Sequence, residues 1–214
     1  MQSNRAVVFA NGDYNIQSST IANVSPDDFM VCVDGGARHC LASGLTPNLL
    51  VGDLDSVDPD CAAKVKAMGA ECIRFAREKD ASDLELVFDI LSDRFFEQVI
   101  LFGASGGRTD HQLFNWQLAA AQPWPFQLRI IDDYVDARLV DPTRAYEVAA
   151  SLGQVFSIVP LAGPAIGVTV CGAQYPLKNA TLIVGSTVGL SNTVTDDCLQ
   201  VSVEQGVVLV MLVH

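Results

Sequence analysis

Two aspartates separated by one leucine, in Gly52-Asp53-Leu54-Asp55-Ser56, follow directly on the apolar run Leu49–Val51. In extended backbone residues i and i+2 point the same way, so Asp53 and Asp55 would set two carboxylates on one side while Leu54 turns inward. Like charges so placed repel, and a hard, oxygen-seeking cation such as Mg²⁺ between them removes that cost. The other account of the pair is an Asx-turn capping a helix that starts near Pro59. A second acidic segment, Lys79-Asp80-Ala81-Ser82-Asp83 with Glu85 behind it, sets Asp80 and Asp83 three apart, able to share one side of a first helical turn. Acidic residues at a helix start are also ordinary caps and dipole partners. Lys79 is not: a cation just before a helix is poorly placed for the dipole and well placed for a phosphate.

Two glycine-rich segments accompany the acids. Asp34-Gly35-Gly36-Ala37 follows the apolar run Met30–Val33. Its glycines either let backbone approach a phosphate at a helix start or simply make a tight strand-to-helix turn. Gly103-Ala104-Ser105-Gly106-Gly107-Arg108-Thr109-Asp110-His111 follows Val99–Phe102 and leads into a segment carrying Asn115. Glycines there form a flexible cradle, and the planar fork of Arg108 suits phosphate oxygens. Asp110 adds a carboxylate and His111 a titratable ring, which is more often structural than catalytic at a helix start. These residues specify metal-assisted phosphoryl chemistry and leave the acceptor open.

The elements that must position them are legible as alternating apolar runs and amphipathic segments. Strands are expected at Ala6–Ala10, Met30–Val33, Leu49–Val51, Cys72–Phe75, Val99–Phe102 and Gln127–Ile131, and helices at Gly36–Ser43, Pro59–Met68, Ser82–Arg94 and Thr109–Ala121. Leu84, Val87, Phe88 and Leu91 recur at helical spacing, so one stripe can face a sheet. The phosphate segments then fall at the carboxyl ends of strands, where open α/β sheets bind ligands. After Asp141 helical periodicity stops, and short β-rich runs follow at Gln154–Val159, Gly167–Cys171, Ala180–Val184, Cys198–Val203 and Val207–Val213. The last two are expected to form a hairpin across Glu204-Gln205-Gly206. The fold class is an α/β N-terminal domain with a mostly parallel sheet, residues 1–138, and a smaller all-β, sandwich-like C-terminal domain, residues 139–214.

Composition narrows the partners. Half of the 214 residues are hydrophobic and 18% are charged, ample material for packed cores. The formal net charge of −12 argues against holding nucleic acid or an anionic membrane through a general positive field. A polyphosphate must therefore be met locally, by placed Lys and Arg, backbone N–H groups and divalent cations. The six cysteines are scattered without C-x-x-C pairs and are expected to be reduced core residues. No stretch has the apolar length of a signal peptide or membrane span, so a cytoplasmic protein is expected.

Seven segments, in order, resemble those of the thiamine pyrophosphokinases: Asn11-Gly12-Asp13, Asp34-Gly35-Gly36-Ala37, Gly52-Asp53-Leu54-Asp55-Ser56, Lys79 through Glu85, Gly106 through His111, Gly172-Ala173-Gln174-Tyr175-Pro176-Leu177 and Gly189-Leu190-Ser191-Asn192. The resemblance implies that the hydroxyethyl oxygen of thiamine attacks the β-phosphorus of ATP, giving thiamine pyrophosphate and AMP. It implies Mg²⁺ and triphosphate handling by Asp53, Asp55, Asp80 and Asp83, with Lys79 and Arg108 neutralising phosphate charge. It assigns ATP phosphate contacts to Asp34, Gly35, Gly36, Ser56, Gly106, Gly107, Arg108, Asp110 and His111. Thiamine falls to Tyr175, Ser191 and Asn192; an aromatic face suits a cationic ring, although Tyr175 read alone could equally be a β-domain core residue. A homodimer is also implied, with sites between the N-terminal domain of one subunit and the C-terminal domain of the other. Ser82 departs from the family pattern, which usually has Thr there, and keeps the hydroxyl. The competing functions are a metal-dependent phosphohydrolase, a pyrophosphokinase for another heterocyclic alcohol, and a non-catalytic binding module.

Overall fold

The structure is a computed structural model that describes residues 4–15, 23–54, 57–76, 78 and 80–214. Its chain forms two compact units, one made of Met1–Asn115 with Trp124–Asp133, the other of Trp116–Pro123 with Tyr134–His214.

The first unit contains strands β1 (Arg5–Phe9), β2 (Phe29–Val33), β3 (Leu49–Gly52), β4 (Glu71–Arg74), β5 (Gln98–Phe102) and β6 (Gln127–Ile131). All pair in parallel, in the order β4-β3-β2-β1-β5-β6. Among the described residues, four α-helices follow strands as the sequence predicts: α1 (Ala37–Ala42), α2 (Pro59–Ala67), α3 (Asp83–Asp93) and α4 (Thr109–Ala119). Strands covered on both faces must be apolar throughout, which is why β1, β2, β3 and β5 read as short hydrophobic runs. The α3 stripe of Leu84, Val87, Phe88 and Leu91 is buried, and Phe88 meets Trp124 and Phe126 edge-on at 4.9 and 5.9 Å. The strand order reverses between β1 and β5, so the loops leaving their carboxyl ends diverge and open a crevice.

The second unit is antiparallel throughout. Strands β7 (Val135–Val140), β9 (Val155–Val159), β12 (Asn192–Thr193) and β14 (Val208–Val213) align as β12-β9-β14-β7. Strands β8 (Tyr146–Ala149), β10 (Ala165–Cys171), β11 (Leu177–Leu182) and β13 (Cys198–Ser202) align as β11-β10-β13-β8. Phe156, Ile158, Val208 and Val210 of the first set and Val168, Val170, Leu199 and Val201 of the second share one buried core, which makes the unit a sandwich.

Four expectations change. The run Cys198–Val203 does not form a hairpin with Val207–Val213, because β13 pairs with β8 and β10 whereas β14 pairs with β7 and β9. Glu204-Gln205-Gly206 instead carries the chain from one sheet to the other, so both strands bury valines in the common core; Gly206 does supply a positive φ, at 85°. The strand expected at Ala180–Val184 lies earlier, at Leu177–Leu182, and Ile183 and Val184 are exposed. Strands β7 and β8 and the two-residue β12 lie where none was expected. Cys171 is exposed rather than part of the core, although all six cysteines are free thiols. Among the described residues no helix is long and apolar enough to cross a membrane.

Candidate active site

Loops at the carboxyl ends of five parallel strands line one open cavity of about 1090 Å³, in the size range of small-molecule sites. Asn11, Gly12 and Asp13 come from the end of β1, Asp34 and Arg38 from beyond β2, and Asp53 from beyond β3. The segment after β4 supplies Asp80 through Glu85, and the segment after β5 supplies Gly106, Gly107, Arg108, Asp110, His111, Phe114 and Asn115. The first unit thus brings Asp34, Asp53, Asp80, Asp83, Gly106, Gly107, Arg108, Asp110 and His111 together. Lys79, Asp55 and Ser56 lie outside the described residues.

The helix caps decide between the two accounts of the acidic pairs. The Ser82 hydroxyl accepts the Glu85 backbone N–H at 3.1 Å, and the Glu85 carboxylate accepts the Ser82 N–H at 3.4 Å, a reciprocal capping box at the start of α3. Asp80 therefore is not the N-cap. Helix α2 is capped by Asp58, which accepts from Asp60 and Cys61 at 2.9 and 3.2 Å with Pro59 at the first helical position. Asp53 has no part in that cap. The extended geometry expected across Asp53 and Asp55 does not hold, because β3 ends at Gly52 and Leu54 has φ 64°. Leu54 nonetheless packs on the core. Asp34 also has a positive φ, 48°, and its side chain sits 3.0 Å from where a Cβ on Gly52 would lie. Left-handed non-glycine residues cost energy and concentrate at functional sites; of these two, Asp34 lines the cavity and Leu54 directly follows the cavity-lining Asp53.

Gly35 and Gly36 have a different task from the phosphate contact expected of them. Both are buried, and a Cβ on Gly36 would collide with the Phe9 carbonyl, one on Gly35 with the Asn11 side chain. They let the turn press against β1, the tight-turn alternative. Gly106 is held at φ 86° against the backbone of Asp13, so a side chain there would drive the two loops apart. The Gly103–Gly107 loop is tied on three sides: Ser105 Oγ donates to Asp132 at 2.8 Å, Asn115 Nδ2 donates to the Ala104 carbonyl at 3.1 Å, and the Gly106 N–H donates to Gln112 Oε1 at 3.3 Å.

Two guanidinium groups face the cavity among the described residues. Arg108 makes a two-point pair with Asp110, Nε to Oδ1 at 3.1 Å and NH2 to Oδ2 at 2.6 Å. That hydrogen-bonded pair pulls the Asp110 carboxyl down to about 2 and pushes the Arg108 pKa up. Arg38, which the motifs did not assign, donates from NH2 to Asp13 Oδ1 at 2.7 Å and to the Asn11 carbonyl at 3.1 Å. Beside it, buried His39 meets the Gly12 carbonyl through Nε2 at 2.7 Å and packs against Tyr14 in a tilted arrangement, ring centroids 4.5 Å apart. Burial lowers the His39 pKa, which favours the uncharged ring. Arg38 follows the glycine turn by two residues, and only the helix register reveals that it faces the site.

The donor set suits a hard cation, since Asp34, Asp53, Asp80 and Asp83 offer only carboxylate oxygens. Among the described residues no group of three or more His, Cys, Asp or Glu is gathered closely enough to form a protein-only metal cage. Mg²⁺ commonly takes one or two carboxylates and completes its shell with substrate phosphates and water, so an open acidic wall is the matching form.

The second unit holds Tyr175, Ser191 and Asn192. Tyr175 is 63% exposed, which removes the core alternative. Asn192 is buried; its Oδ1 accepts the Tyr175 N–H at 3.0 Å and its Nδ2 donates to the Tyr175 carbonyl at 2.8 Å. The amide is thus engaged with Tyr175 backbone and acts on the aromatic ring by fixing its place. Ser191 is exposed, has φ 52°, and donates its N–H to Ser157 Oγ at 3.1 Å.

The thiamin pyrophosphokinase catalytic-domain model matches residues 22–159, and the vitamin B1 binding-domain model of the same family matches residues 143–208. A thiamine pyrophosphokinase of Bacillus subtilis is 26% identical over 187 residues, covering 86% of this chain and 87% of the relative. Among solved structures, a thiamine pyrophosphokinase from Bacillus subtilis superposes with a TM-score of 0.83 at 25% identity, covering 98% of each chain. One from Candida albicans superposes at 0.80 with 16% identity over 98% of this chain and 90% of that one, a likeness of fold. With one family model matching more than half of its length and a second reaching residue 208, this chain belongs to the thiamin pyrophosphokinase family.

Proposed function

We propose that this chain is a thiamine pyrophosphokinase that transfers pyrophosphate from ATP to the hydroxyethyl oxygen of thiamine, releasing AMP. The observation that carries it is the cavity at the carboxyl edge of the parallel sheet, where Asp34, Asp53, Asp80, Asp83 and Arg108 converge. Asp53, Asp80 and Asp83, together with Asp55, would hold Mg²⁺, which when bound neutralises phosphate charge and orients the triphosphate. Gly106 and Gly107 give the phosphate chain a close backbone wall. Arg108 meets the charge that moves toward the AMP leaving group, the term that dominates such transfers. Its pairing with exposed Asp110 keeps the fork aimed at the cavity and is weak enough for a phosphate to compete. Lys79, by its place in the sequence just before α3, would add a further positive charge for the phosphates.

Tyr175 and Ser191 receive thiamine, the aromatic face against the cationic ring and the hydroxyl at the pyrimidine edge. Asn192 serves by holding Tyr175. The working form is a cytoplasmic homodimer in which the second unit of one subunit completes the cavity of the other. Tyr175→Ala separates this function from a phosphohydrolase. Thiamine-dependent AMP release should fall on the order of tenfold or more with ATP binding retained, since a cation–π contact and its buried area are lost together. Unchanged thiamine use in that variant contradicts the assignment.

A further inference from the structure

Arg38 is the cation of the cavity that no motif accounts for. It stands at the second position of α1, half-exposed, and its guanidinium lines the same cavity as Asp53 and Arg108. Three features describe what it is set up to meet. Its NH2 is oriented by Asp13 Oδ1 at 2.7 Å and by the Asn11 carbonyl at 3.1 Å, so the plane of the fork is fixed before any ligand arrives. Its Nε lies 3.2 Å from His39 Nε2, so the buried ring, itself 2.7 Å from the Gly12 carbonyl, borders the fork on a second edge. Third, the Asp13–Arg38 pair is exposed on both sides, 73% and 51%, so solvent screens it and a doubly charged phosphate can displace the carboxylate at little cost.

Asp13 also links this group to the glycine loop. Its backbone packs against Gly106, and its Oδ2 lies 3.8 Å from where a Cβ on Gly107 would stand. A change at the Asp13–Arg38 pair is therefore felt at the loop that leads to Arg108.

We propose that Arg38 is a second phosphate-binding arginine of the nucleotide site, held ready by Asp13, which yields it to an oxygen of the ATP phosphate chain. The proposal rests on ATP being the donor, as argued above, and extends that reading to a residue outside the family motifs. A bidentate guanidinium–phosphate contact is a charge-assisted hydrogen bond, strong enough that its loss is measurable as affinity. Lysine cannot reproduce the planar fork.

Titration calorimetry with ATP and Mg²⁺, without thiamine, tests this directly on the full chain. Arg38→Ala should weaken ATP binding on the order of tenfold or more, with Arg38→Lys between it and the unaltered protein. Asp13→Asn keeps an acceptor oxygen and removes the competing charge, so ATP should bind as tightly or more tightly. Parallel titrations with AMP and with inorganic pyrophosphate identify the phosphate concerned: a loss confined to AMP and ATP marks the retained phosphate, one confined to pyrophosphate and ATP the transferred ones. In kinetics, the KM for ATP should rise while that for thiamine moves less than about twofold. ATP affinity within twofold of the unaltered protein in a folded Arg38→Ala variant, judged by circular dichroism, overturns the proposal. So does an equal loss in Asp13→Asn, which would make Arg38 a scaffold for that loop. Because binding is read without the acceptor, failure to pyrophosphorylate thiamine leaves this result interpretable. Failure of the unaltered protein to bind ATP contradicts the reading beneath it, and this proposal with it.

Discussion

The Ser82 hydroxyl and the Glu85 carboxylate satisfy each other's backbone N–H at the start of α3, at 3.1 and 3.4 Å, and so relieve Asp80 of any capping duty. Stability and activity should therefore separate in this segment. Ser82→Ala is expected to lower unfolding free energy by about 1 kcal/mol. Asp80→Asn should leave thermal stability nearly unchanged and reduce turnover on the order of 100-fold, the scale seen when a charge-stabilising group is removed from a transfer site. Thermal melts and initial rates on the two variants check this; a destabilised, active Asp80→Asn protein would restore the capping account.

Asp110 should not titrate in the working range. Its pairing with Arg108 holds the carboxyl at about 2, so it stays ionised well below neutral pH. The sign follows from linkage: the folded value lies below the unfolded one of 3.8, so the contribution to stability is present above 3.8 and disappears as pH falls toward about 2. Both side chains are exposed, and added salt should weaken the pair further. The unaltered protein and Asp110→Asn should therefore share the same acid limb in rate profiles between about pH 5 and 7.

His39 gives a pH dependence of stability. Burial lowers its pKa from 6.5, so the unfolded chain binds a proton more readily than the folded one. Stability should then decline as pH falls below about 6.5. His39→Gln keeps an N–H able to reach the Gly12 carbonyl and removes the titration. Its melting temperature should fall less than that of the unaltered protein between pH 7 and pH 5, as followed by circular dichroism.

The first unit was largely legible because parallel strands buried on both faces have to be apolar, and Leu49–Gly52 or Gln98–Phe102 cannot be mistaken for helix. Strand β7 was hidden by Asp136 and Arg138, charged residues that break the apolar pattern yet lie 3.8 Å apart as a sheltered pair. Strand β11 was placed too late because Lys178-Asn179 is polar, with Asn179 at φ 48° where the pairing register shifts. In the site, Asp53, Asp80, Asp83 and Arg108 follow from their position after strands. The glycine turn misled for a physical reason: Gly35 and Gly36 make room for Phe9 and Asn11, and close approach to protein reads in sequence just as close approach to a ligand does. Arg38 was out of reach, because which way a helical side chain points depends on where the helix starts.

Asn192 should behave as a positioning residue for Tyr175. Asn192→Ala leaves part-buried backbone groups of Tyr175 and Thr193 without this partner, at a cost of about 1 kcal/mol or more. The KM for thiamine should rise with little change in the KM for ATP. Asn192→Asp keeps the acceptor that serves the Tyr175 and Thr193 N–H groups and should recover part of the lost stability.

The central claim is tested most directly by following both products in one reaction. Purified protein, thiamine, Mg²⁺ and ATP labelled in the γ-phosphate should yield labelled thiamine pyrophosphate and AMP in equal amounts, with neither formed when thiamine or Mg²⁺ is withheld and both sharply reduced in Asp53→Asn. Release of ADP or inorganic phosphate independent of thiamine, or AMP without labelled thiamine pyrophosphate, would contradict it.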